Sequence, residues 1–219
     1  MGLWIKICGI TRPEDALLVE KSGADAIGLM FSARSSRTLT FERAALIVEA
    51  LSGKLEKVAV FTEPDWDRIE ETVDRLGIDL IQWHGGPLGR EADARLGSFG
   101  IPWMHAVRWD GTSPLDAPHT ALRLLVEGRS AKGLGGTGEG WNYGTLTEVP
   151  WPLPVVLSGG LSPEGVAAAL SAVCPPGSRE GRRPFGVDVS SRVESHPGLK
   201  DAGRVRAFVE NVRAWERSS

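Results

Sequence analysis

The sequence is poor in the features that mark several classes of protein. It contains only two cysteines, Cys8 and Cys174, which are too few for a disulfide framework. No stretch is long and apolar enough for a transmembrane helix, and the first ten residues lack the apolar core of a signal peptide. We therefore expect a reducing, cytoplasmic compartment.

An excess of charge of one sign is also lacking. The 25 basic and 28 acidic side chains give a formal net charge of −3, which favours neither nucleic acid nor a membrane surface as a partner. The four histidines are scattered, and none pairs with a carboxylate or thiol at the spacing of a metal site. The sequence thus predicts no nucleic-acid partner, no membrane partner and no metal centre.

The residues that are present suit a globular fold. The chain has 219 residues, of which 42% are hydrophobic and 24% charged, so a sizeable core can form. No segment has the character of a linker between domains. We therefore expect residues 1–219 to form a single domain.

Short apolar runs recur along the whole chain, and patterns typical of helices separate them. Because most of these runs lack polar alternation, they indicate parallel strands covered on both faces. The predicted strands are Trp4–Cys8, Ala26–Phe31, Lys57–Phe61, Leu80–Trp83, Trp103–Val107, Leu122–Val126, Val155–Leu157 and Phe185–Val189. Eight strands that alternate with helices favour an α/β fold of the (β/α)8 barrel type, also called a TIM barrel.

The fifth crossover of this barrel is expected to be irregular. The segment from Val107 to Leu122 is short and contains Pro114 and Pro118, which do not suit a regular helix. A doubly wound open sheet is the structural alternative. It normally has fewer strands, and no Gly-x-Gly-x-x-Gly sequence opens a helix here.

Two of the predicted helices have candidate capping residues. Thr11 precedes a helix over Pro13–Lys21, and Glu14 follows it at the spacing of a capping box. Ser162 precedes a helix predicted over Pro163–Val173.

Cys8 lies where the first predicted strand ends and the turn into the first helix begins. Ligands of α/β proteins bind at such strand ends. A thiolate at this position suits a base or a nucleophile, whereas an isolated buried cysteine is usually a packing residue. Cys174, which precedes Pro175 near a predicted helix end, fits the packing role.

Polar side chains also follow most of the other strands, at what would be the same end of the barrel. They supply guanidinium groups, an amide, an imidazole, carboxylates and hydroxyls, in the order Arg34, Arg37, Gln82, His84, Glu127, Ser158, Asp188, Ser190 and Ser191.

Two loops suggest a phosphate site. Ser158, Gly159 and Gly160 follow the seventh strand, and Ser190 and Ser191 follow the eighth. Paired glycines let backbone N–H groups approach an anion, and barrels commonly bind phosphate at these two loops. A tight turn is the alternative for the glycine pair, and the segment 135–138 is either a further anion-binding nest or a flexible loop.

Several motifs along the chain occur together in one family of enzymes. They are Lys6-Ile7-Cys8-Gly9-Ile10-Thr11, Gly23-Ala24-Asp25-Ala26-Ile27-Gly28, Gln82-Trp83-His84-Gly85, Gly135-Gly136-Thr137-Gly138, Leu157-Ser158-Gly159-Gly160-Leu161, Val187-Asp188-Val189-Ser190-Ser191 and Pro197-Gly198-Leu199-Lys200-Asp201. In this order the set resembles the phosphoribosylanthranilate isomerases of tryptophan biosynthesis. The resemblance extends from Ile5 to about Asp201.

The resemblance implies a barrel enzyme that uses no cofactor and acts on a small-molecule substrate as a monomer or homodimer. The implied reaction is an Amadori rearrangement of N-(5-phosphoribosyl)anthranilate to 1-(2-carboxyphenylamino)-1-deoxyribulose 5-phosphate. An acid protonates the ribose ring oxygen so that the ring opens to an iminium. A base then removes the C2 proton to give an enolamine, which becomes the ketone.

The resemblance also assigns roles to individual residues. Cys8 matches the general base of the family, and Glu127 aligns with the aspartate that serves as general acid. A shift of the alignment by one residue would put Val126 in that place and leave no acid. A solvated loop residue is the structural alternative for Glu127.

Four more residues match positions that line the substrate pocket in the family. Arg37 is expected to hold the carboxylate of the anthranilate, with Arg34 as a neighbouring candidate. Gln82 and His84 are expected to line the pocket, although either could be structural. Asp188 is expected to bind ribose hydroxyls or to tune the site, unless nearby backbone amides satisfy it.

The sequence departs from the family pattern in three places. Glu127 replaces the aspartate, Trp141-Asn142-Tyr143 replaces Phe-Asp-Trp, and Arg192 follows Ser191 where glycine is common. These departures leave open a first rival function, a barrel that binds a phosphate ligand without catalysis, although Cys8, Arg37 and both phosphate loops argue against it. A second rival, independent of the departures, is another sugar-phosphate isomerase of the aminoaldose type. The second normally uses two carboxylates, which a cysteine after the first strand disfavours.

Overall fold

Eight parallel strands close into a barrel in the computed structural model, which describes residues 2–128, 141–175 and 183–218. The strands follow one another around the barrel in chain order, and β8 pairs with β1 to complete the circle. They are β1 Trp4–Cys8, β2 Ala26–Met30, β3 Glu56–Phe61, β4 Leu80–Trp83, β5 Trp103–Trp109, β6 Arg123–Gly128, β7 Val155–Ser158 and β8 Gly186–Val189. The closed sheet confirms the predicted barrel and excludes the doubly wound alternative.

Side chains alternate between the barrel interior and the layer beneath the helices. Trp4, Leu80 and Leu125 belong to a small cluster inside the barrel. Ile5, Val126 and their equivalents on the other strands belong to the larger cluster between the sheet and the helices. This period of two determines which residue at each strand end faces the mouth of the barrel.

Helices cover the outside of the sheet. They are α1 Pro13–Lys21, α2 Phe41–Ala50, α3 Trp66–Leu76, α4 Arg90–Gly97, α5 Val166–Val173 and α6 Ala202–Ser218, with 3-10 helices at Tyr143–Glu148 and Ser191–Val193. No regular helix lies between β5 and β6, where every residue is described, so the irregular fifth crossover is confirmed.

Both predicted helix starts differ in detail from the structure. The N-cap of α1 is Arg12 rather than Thr11, and it makes no side-chain capping hydrogen bond. The Thr11 hydroxyl instead donates to the carbonyl of Gly198 at 2.5 Å, so a tertiary contact replaces the local cap. Residues 163–165 form a turn, in which the Ser162 hydroxyl accepts from Gly165 N, and α5 begins only at Val166.

A short antiparallel hairpin follows β8 and was not predicted. Its strands are β9 Glu194–His196 and β10 Leu199–Lys200. It brings Glu194 and Lys200, both buried, to the wall of the barrel mouth. Among the described residues, no helix combines the length and apolar character needed to cross a membrane.

Candidate active site

A cavity of about 1230 Å³ opens at the C-terminal ends of the barrel strands. All of the sequence-predicted site residues line it, namely Cys8, Arg37, Gln82, His84, Glu127, Ser158, Gly159, Gly160, Asp188, Ser190 and Ser191. Arg34 lines it as well. The segment 135–138, considered as a further anion nest, falls outside the described residues. The described residues include no group of three or more His, Cys, Asp or Glu side chains arranged to hold a metal ion.

Cys8 is the last residue of β1, and its side chain is almost entirely buried. Gly28 on β2 lies directly opposite, and a Cβ placed on that glycine would be 2.6 Å from the Cys8 Sγ. Burial raises the pKa of the Cys8 thiol, while the positive charges of Lys6 and Lys200 act to lower it. The surroundings of this thiol therefore favour its protonated form.

Glu127 faces the cavity because of the alternation along β6. Val126 is fully buried in the outer cluster, so the next residue turns inward. This register places the Glu127 carboxylate, rather than the Val126 side chain, at the mouth of the barrel. The carboxylate is not the solvated loop group considered from the sequence, since it lies on a strand and contacts His84.

His84 and Gln82 form a chain of polar contacts that ends on Glu127. The Nε2 atom of His84 lies 3.4 Å from Glu127 Oε2, and its Nδ1 atom lies 3.3 Å from the amide nitrogen of Gln82. If the amide donates to Nδ1, the imidazole proton is on Nε2 and faces the carboxylate. The hydrogen bond from His84 lowers the pKa of Glu127, and it outweighs the burial that raises it.

Asp188 is fixed by two side chains inside the barrel. Its Oδ1 atom accepts from Lys6 Nζ at 2.5 Å, and its Oδ2 atom accepts from the Ser158 hydroxyl at 3.1 Å. The backbone amides that the sequence offered as an alternative are therefore not needed to satisfy this carboxylate. Lys6 itself is completely buried and was missed in the sequence analysis.

Arg37 is held by a carboxylate of the β9–β10 hairpin. Its Nε atom donates to Glu194 Oε1 at 2.8 Å, and its Nη2 atom donates to Oε2 at 2.6 Å. These bonds use one edge of the guanidinium. The other edge, formed by Nη1 and the second hydrogen on Nη2, stays available to an acceptor in the cavity.

Lys200 connects three segments around the site. Its Nζ atom donates to the carbonyls of Cys8 and Ser190 and to the carboxylate of Glu194, at 2.6, 3.2 and 2.7 Å. The end of β1, the end of β8 and the hairpin are thus joined by one buried ammonium. Glu194 and Lys200 were also missed in the sequence analysis, because they lie on a hairpin that the sequence did not reveal.

The glycine loop after β7 has a geometry that suits an anion. Gly159 and Gly160 have φ of +81° and +79°. The carbonyls of Ser158 and Gly159 accept from Trp141 Nε1 at 2.9 Å and Tyr143 Oη at 2.6 Å. In a trans peptide the N–H points opposite to the carbonyl, so the N–H groups of Gly159 and Gly160 point away from these two rings.

Residues in two of the departures from the family pattern lie beside the loops after β7 and β8. The aromatic residues Trp141 and Tyr143 support the glycine loop, and Asn142 between them is exposed. Arg192 is exposed and lines the cavity, beside Ser190 and Ser191. It therefore adds positive charge at the loop after β8 instead of pointing away from it.

The chain is similar to known proteins over almost its entire length. The model of the N-(5'-phosphoribosyl)anthranilate isomerase family matches residues 5–211. A protein of that name from Alcanivorax borkumensis is 39% identical, with 95% of this chain and 94% of the relative covered.

Solved structures agree with this match. The crystal structure of phosphoribosyl anthranilate isomerase from Thermus thermophilus has 30% identity and a TM-score of 0.82, and it covers 97% of this chain and 99% of that one. A phosphoribosyl anthranilate isomerase in complex with reduced 1-(o-carboxyphenylamino)-1-deoxyribulose 5-phosphate has 29% identity and a TM-score of 0.75, with the same coverage.

Proposed function

Because the chain belongs to the N-(5'-phosphoribosyl)anthranilate isomerase family, we propose that Cys8 and Glu127 carry out the proton transfers of its reaction. The enzyme is an isomerase of tryptophan biosynthesis that converts N-(5-phosphoribosyl)anthranilate to 1-(2-carboxyphenylamino)-1-deoxyribulose 5-phosphate. The observation that carries the residue assignment is one cavity lined by a thiol on β1, a carboxylate on β6 and the two glycine- and serine-containing loops.

Glu127 acts as the acid in the first step. Its protonated carboxyl donates to the ribose ring oxygen, the C1–O bond breaks, and the anthranilate nitrogen stabilises the resulting cation as an iminium. His84 orients the carboxylate through the Nε2 contact at 3.4 Å. A positioned proton donor is worth about 10²–10⁴-fold in rate.

Cys8 acts as the base in the second step. Its thiolate takes the C2 proton, which becomes the thiol proton, and the electron pair left on C2 forms the enolamine. Tautomerisation of the enolamine then gives the ketone product. Since the iminium draws electrons away from C2, a base of moderate strength is sufficient.

The remaining residues bind the charged ends of the substrate. The free edge of Arg37 pairs with the carboxylate of the anthranilate. The N–H groups of Gly159 and Gly160, the hydroxyl of Ser191 and the charge of Arg192 suit the phosphate. The hydroxyls of Ser158 and Ser190 donate to Asp188 and to the carbonyl of Cys8, so each must turn from that partner to donate to the phosphate. Asp188 accepts from a ribose hydroxyl, and the amide of Gln82 lines the pocket; its Oε1 atom is buried without a partner among the described residues.

Turnover of freshly prepared phosphoribosylanthranilate, followed by the loss of its fluorescence, tests this assignment. We expect Cys8→Ser and Glu127→Gln each to lower kcat by about 10²–10⁴-fold with a much smaller change in KM. Glu127→Asp should retain part of the activity, and Cys174→Ser serves as the control for loss of a thiol. Turnover at the wild-type level in Glu127→Gln would reject the acid assignment.

Rescue of a tryptophan auxotroph provides a second measurement. The wild-type chain should restore growth without added tryptophan, and Cys8→Ser should not. Binding of the substrate without turnover would instead favour a barrel that binds a phosphate ligand without catalysis.

The site also supports a single chain as the active unit. All of its proposed residues come from one copy of the barrel. We extend the proposal to a one-domain chain over 1–219 that is active as a monomer, or as a homodimer with one complete site in each subunit. Light scattering combined with activity across a dilution series tests it, since loss of activity on dissociation would contradict independent sites.

A further inference from the structure

Lys6 is an unusual residue for the interior of a barrel. It lies in the middle of β1, its side chain has no exposed surface, and it is absent from the residues that line the cavity. Transfer of an ammonium from water to such a place is costly unless the charge is paired. The proposed proton transfers use no group at this position, so the presence of a lysine here requires another explanation.

The position of Lys6 is set by two neighbours. It precedes Cys8 by two residues on the same strand, and residues two apart point to the same face. Its Nζ atom lies 2.5 Å from Asp188 Oδ1 on the adjacent strand β8. The positive charge of Lys6 also acts on the Cys8 thiol group, so one ammonium pairs with a carboxylate and influences a sulfur.

Four charged groups from different elements act on Cys8. Lys6 comes from β1 itself, Asp188 from β8, Lys200 from the hairpin, and Arg37 from the segment after β2. Of these, Lys6 and Lys200 favour the thiolate and Asp188 opposes it. Lys200 is bound to two carbonyls and to Glu194, whereas the one side-chain partner of Lys6 among the described residues is Asp188. Of the two ammonium groups, Lys6 has the larger effect in lowering the pKa of Cys8.

We infer that Lys6 is a positioning residue that stabilises the thiolate of Cys8 from below the cavity, and that Asp188 pairs with the Lys6 ammonium so that this charge can remain buried. The inference rests on the proposed role of Cys8 as the base. The negative charge of Asp188 disfavours the thiolate of Cys8, which is the opposite of the effect of Lys6. Burial raises the pKa of Cys8, so a fixed positive charge beneath it is the means by which a useful fraction of thiolate is kept.

The test titrates the thiol in the substrate-free enzyme and so does not depend on catalysis. Iodoacetamide alkylation is followed against pH, and peptide mass spectrometry reports Cys8 and Cys174 separately. We expect Lys6→Met to slow the alkylation of Cys8 about tenfold or more at pH 7.5, with the midpoint moved to higher pH. Asp188→Asn should move the midpoint to lower pH, and Cys174 should be unaffected in both variants.

Opposite shifts in the two variants support the inference. An unchanged Cys8 midpoint in Lys6→Met, or shifts in the same direction in both variants, overturns it and leaves the pair with a packing role only. If Lys6→Met fails to fold because Asp188 is left unpaired, the double variant Lys6→Met, Asp188→Asn replaces it. That variant should still titrate at higher pH than the wild type, and Lys6→Arg should restore much of the alkylation rate.

Failure of the proposed function has a different signature. If Cys8 is not the base, Cys8→Ser keeps its turnover, whatever the alkylation midpoint does in the Lys6 variants. If Cys8 is the base but Lys6 is inert, Cys8→Ser loses turnover while Lys6→Met leaves the Cys8 midpoint where it was.

Discussion

The guanidinium of Arg37 lies side-on against the carboxylate of Glu194, with both hydrogen bonds on the same edge. The side chain of Glu194 is almost fully buried and also receives Lys200. The pair therefore fixes the direction of Arg37 before any substrate arrives. A positioned guanidinium loses less conformational entropy when it binds a carboxylate than a mobile one does.

Loss of this support should weaken substrate binding more than chemistry. In Glu194→Gln, the second charge-assisted bond to Arg37 disappears, and we expect KM to rise about tenfold while kcat changes less. Steady-state kinetics measure both constants. Asp79→Asn, which removes a half-exposed carboxylate from its pair with Lys57, is the matched control. A change confined to kcat would contradict the role given to Glu194.

The Glu194 carboxylate should also make the free energy of unfolding depend on pH in the acidic range. Although burial raises the pKa of Glu194, bonds to Arg37 and the charge of Lys200 lower it overall. A lowered pKa contributes stability above the ordinary value near 4.3, and this is lost as the pH falls through the folded-state pKa. We expect Glu194→Gln to cost roughly 3 kcal/mol at pH 7. Denaturant unfolding should show this difference shrinking below about pH 4.

The pH dependence of kcat/KM should show that Glu127 and Cys8 react in the protonation states that are less populated between their two pKa values. Glu127, proposed as the acid, has a lowered pKa, whereas Cys8, proposed as the base, has a raised one. The reactive form is then a minority species whose fraction is constant between the two pKa values. We expect a bell-shaped profile whose acidic limb follows Glu127 and whose alkaline limb follows Cys8.

The variant Glu127→Gln separates the two limbs. Without an acid to deprotonate, its residual rate should rise with pH through the Cys8 pKa and then stay level. A persistent decline at high pH would place the essential acid on another residue.

Gly28 should be needed for the position of the thiol. A Cβ at this site would lie 2.6 Å from Sγ and 3.0 Å from Cα of Cys8. We expect Gly28→Ala to lower kcat about 10–100-fold, because the reacting atom is displaced. The control is Gly89→Ala, where nothing lies within 4 Å of the added atom. Equal kinetics in the two variants would contradict the crowding argument.

Replacement of Gly159 should displace the Glu127 side chain as well as strain the backbone. Alanine at its φ of +81° costs about 1–2 kcal/mol, and the added Cβ would lie 2.8 Å from Glu127 Cγ. Gly53→Ala has the same backbone cost, at a φ of +87°, but open space around it. Thermal unfolding should show similar losses in both, and only Gly159→Ala should lose kcat. A matching loss in Gly53→Ala would attribute the effect to stability alone.

Features of the fold that depend on local sequence patterns could be predicted. Eight apolar runs with helical patterns between them predicted the barrel, and Pro114 and Pro118 predicted the irregular fifth crossover. Because parallel strands end at the same edge of the barrel, the polar residues after each strand could be assigned to one site. These predictions need only the hydrophobic pattern along the chain and the rule that barrel enzymes place their sites at the C-terminal ends of the strands.

The buried charges could not be predicted in the same way. A strand covered on both faces is apolar at nearly every position, so nothing in Trp4–Cys8 alone shows that Lys6 points inward. Its partner Asp188 is 182 residues away in the chain. Thr11 shows the converse case, because its hydroxyl could cap a helix but finds the carbonyl of Gly198 instead.

The burial of the Cys8 sulfur has a consequence for survival of the enzyme under oxidative stress. Peroxide attacks thiolates that are exposed to solvent, and this one is 5% exposed with a pKa raised by its surroundings. We therefore expect peroxide to oxidise the Cys8 sulfur far more slowly than it oxidises an exposed, ionised cysteine. The burial that keeps the thiolate fraction of Cys8 low thus also protects its sulfur from oxidation.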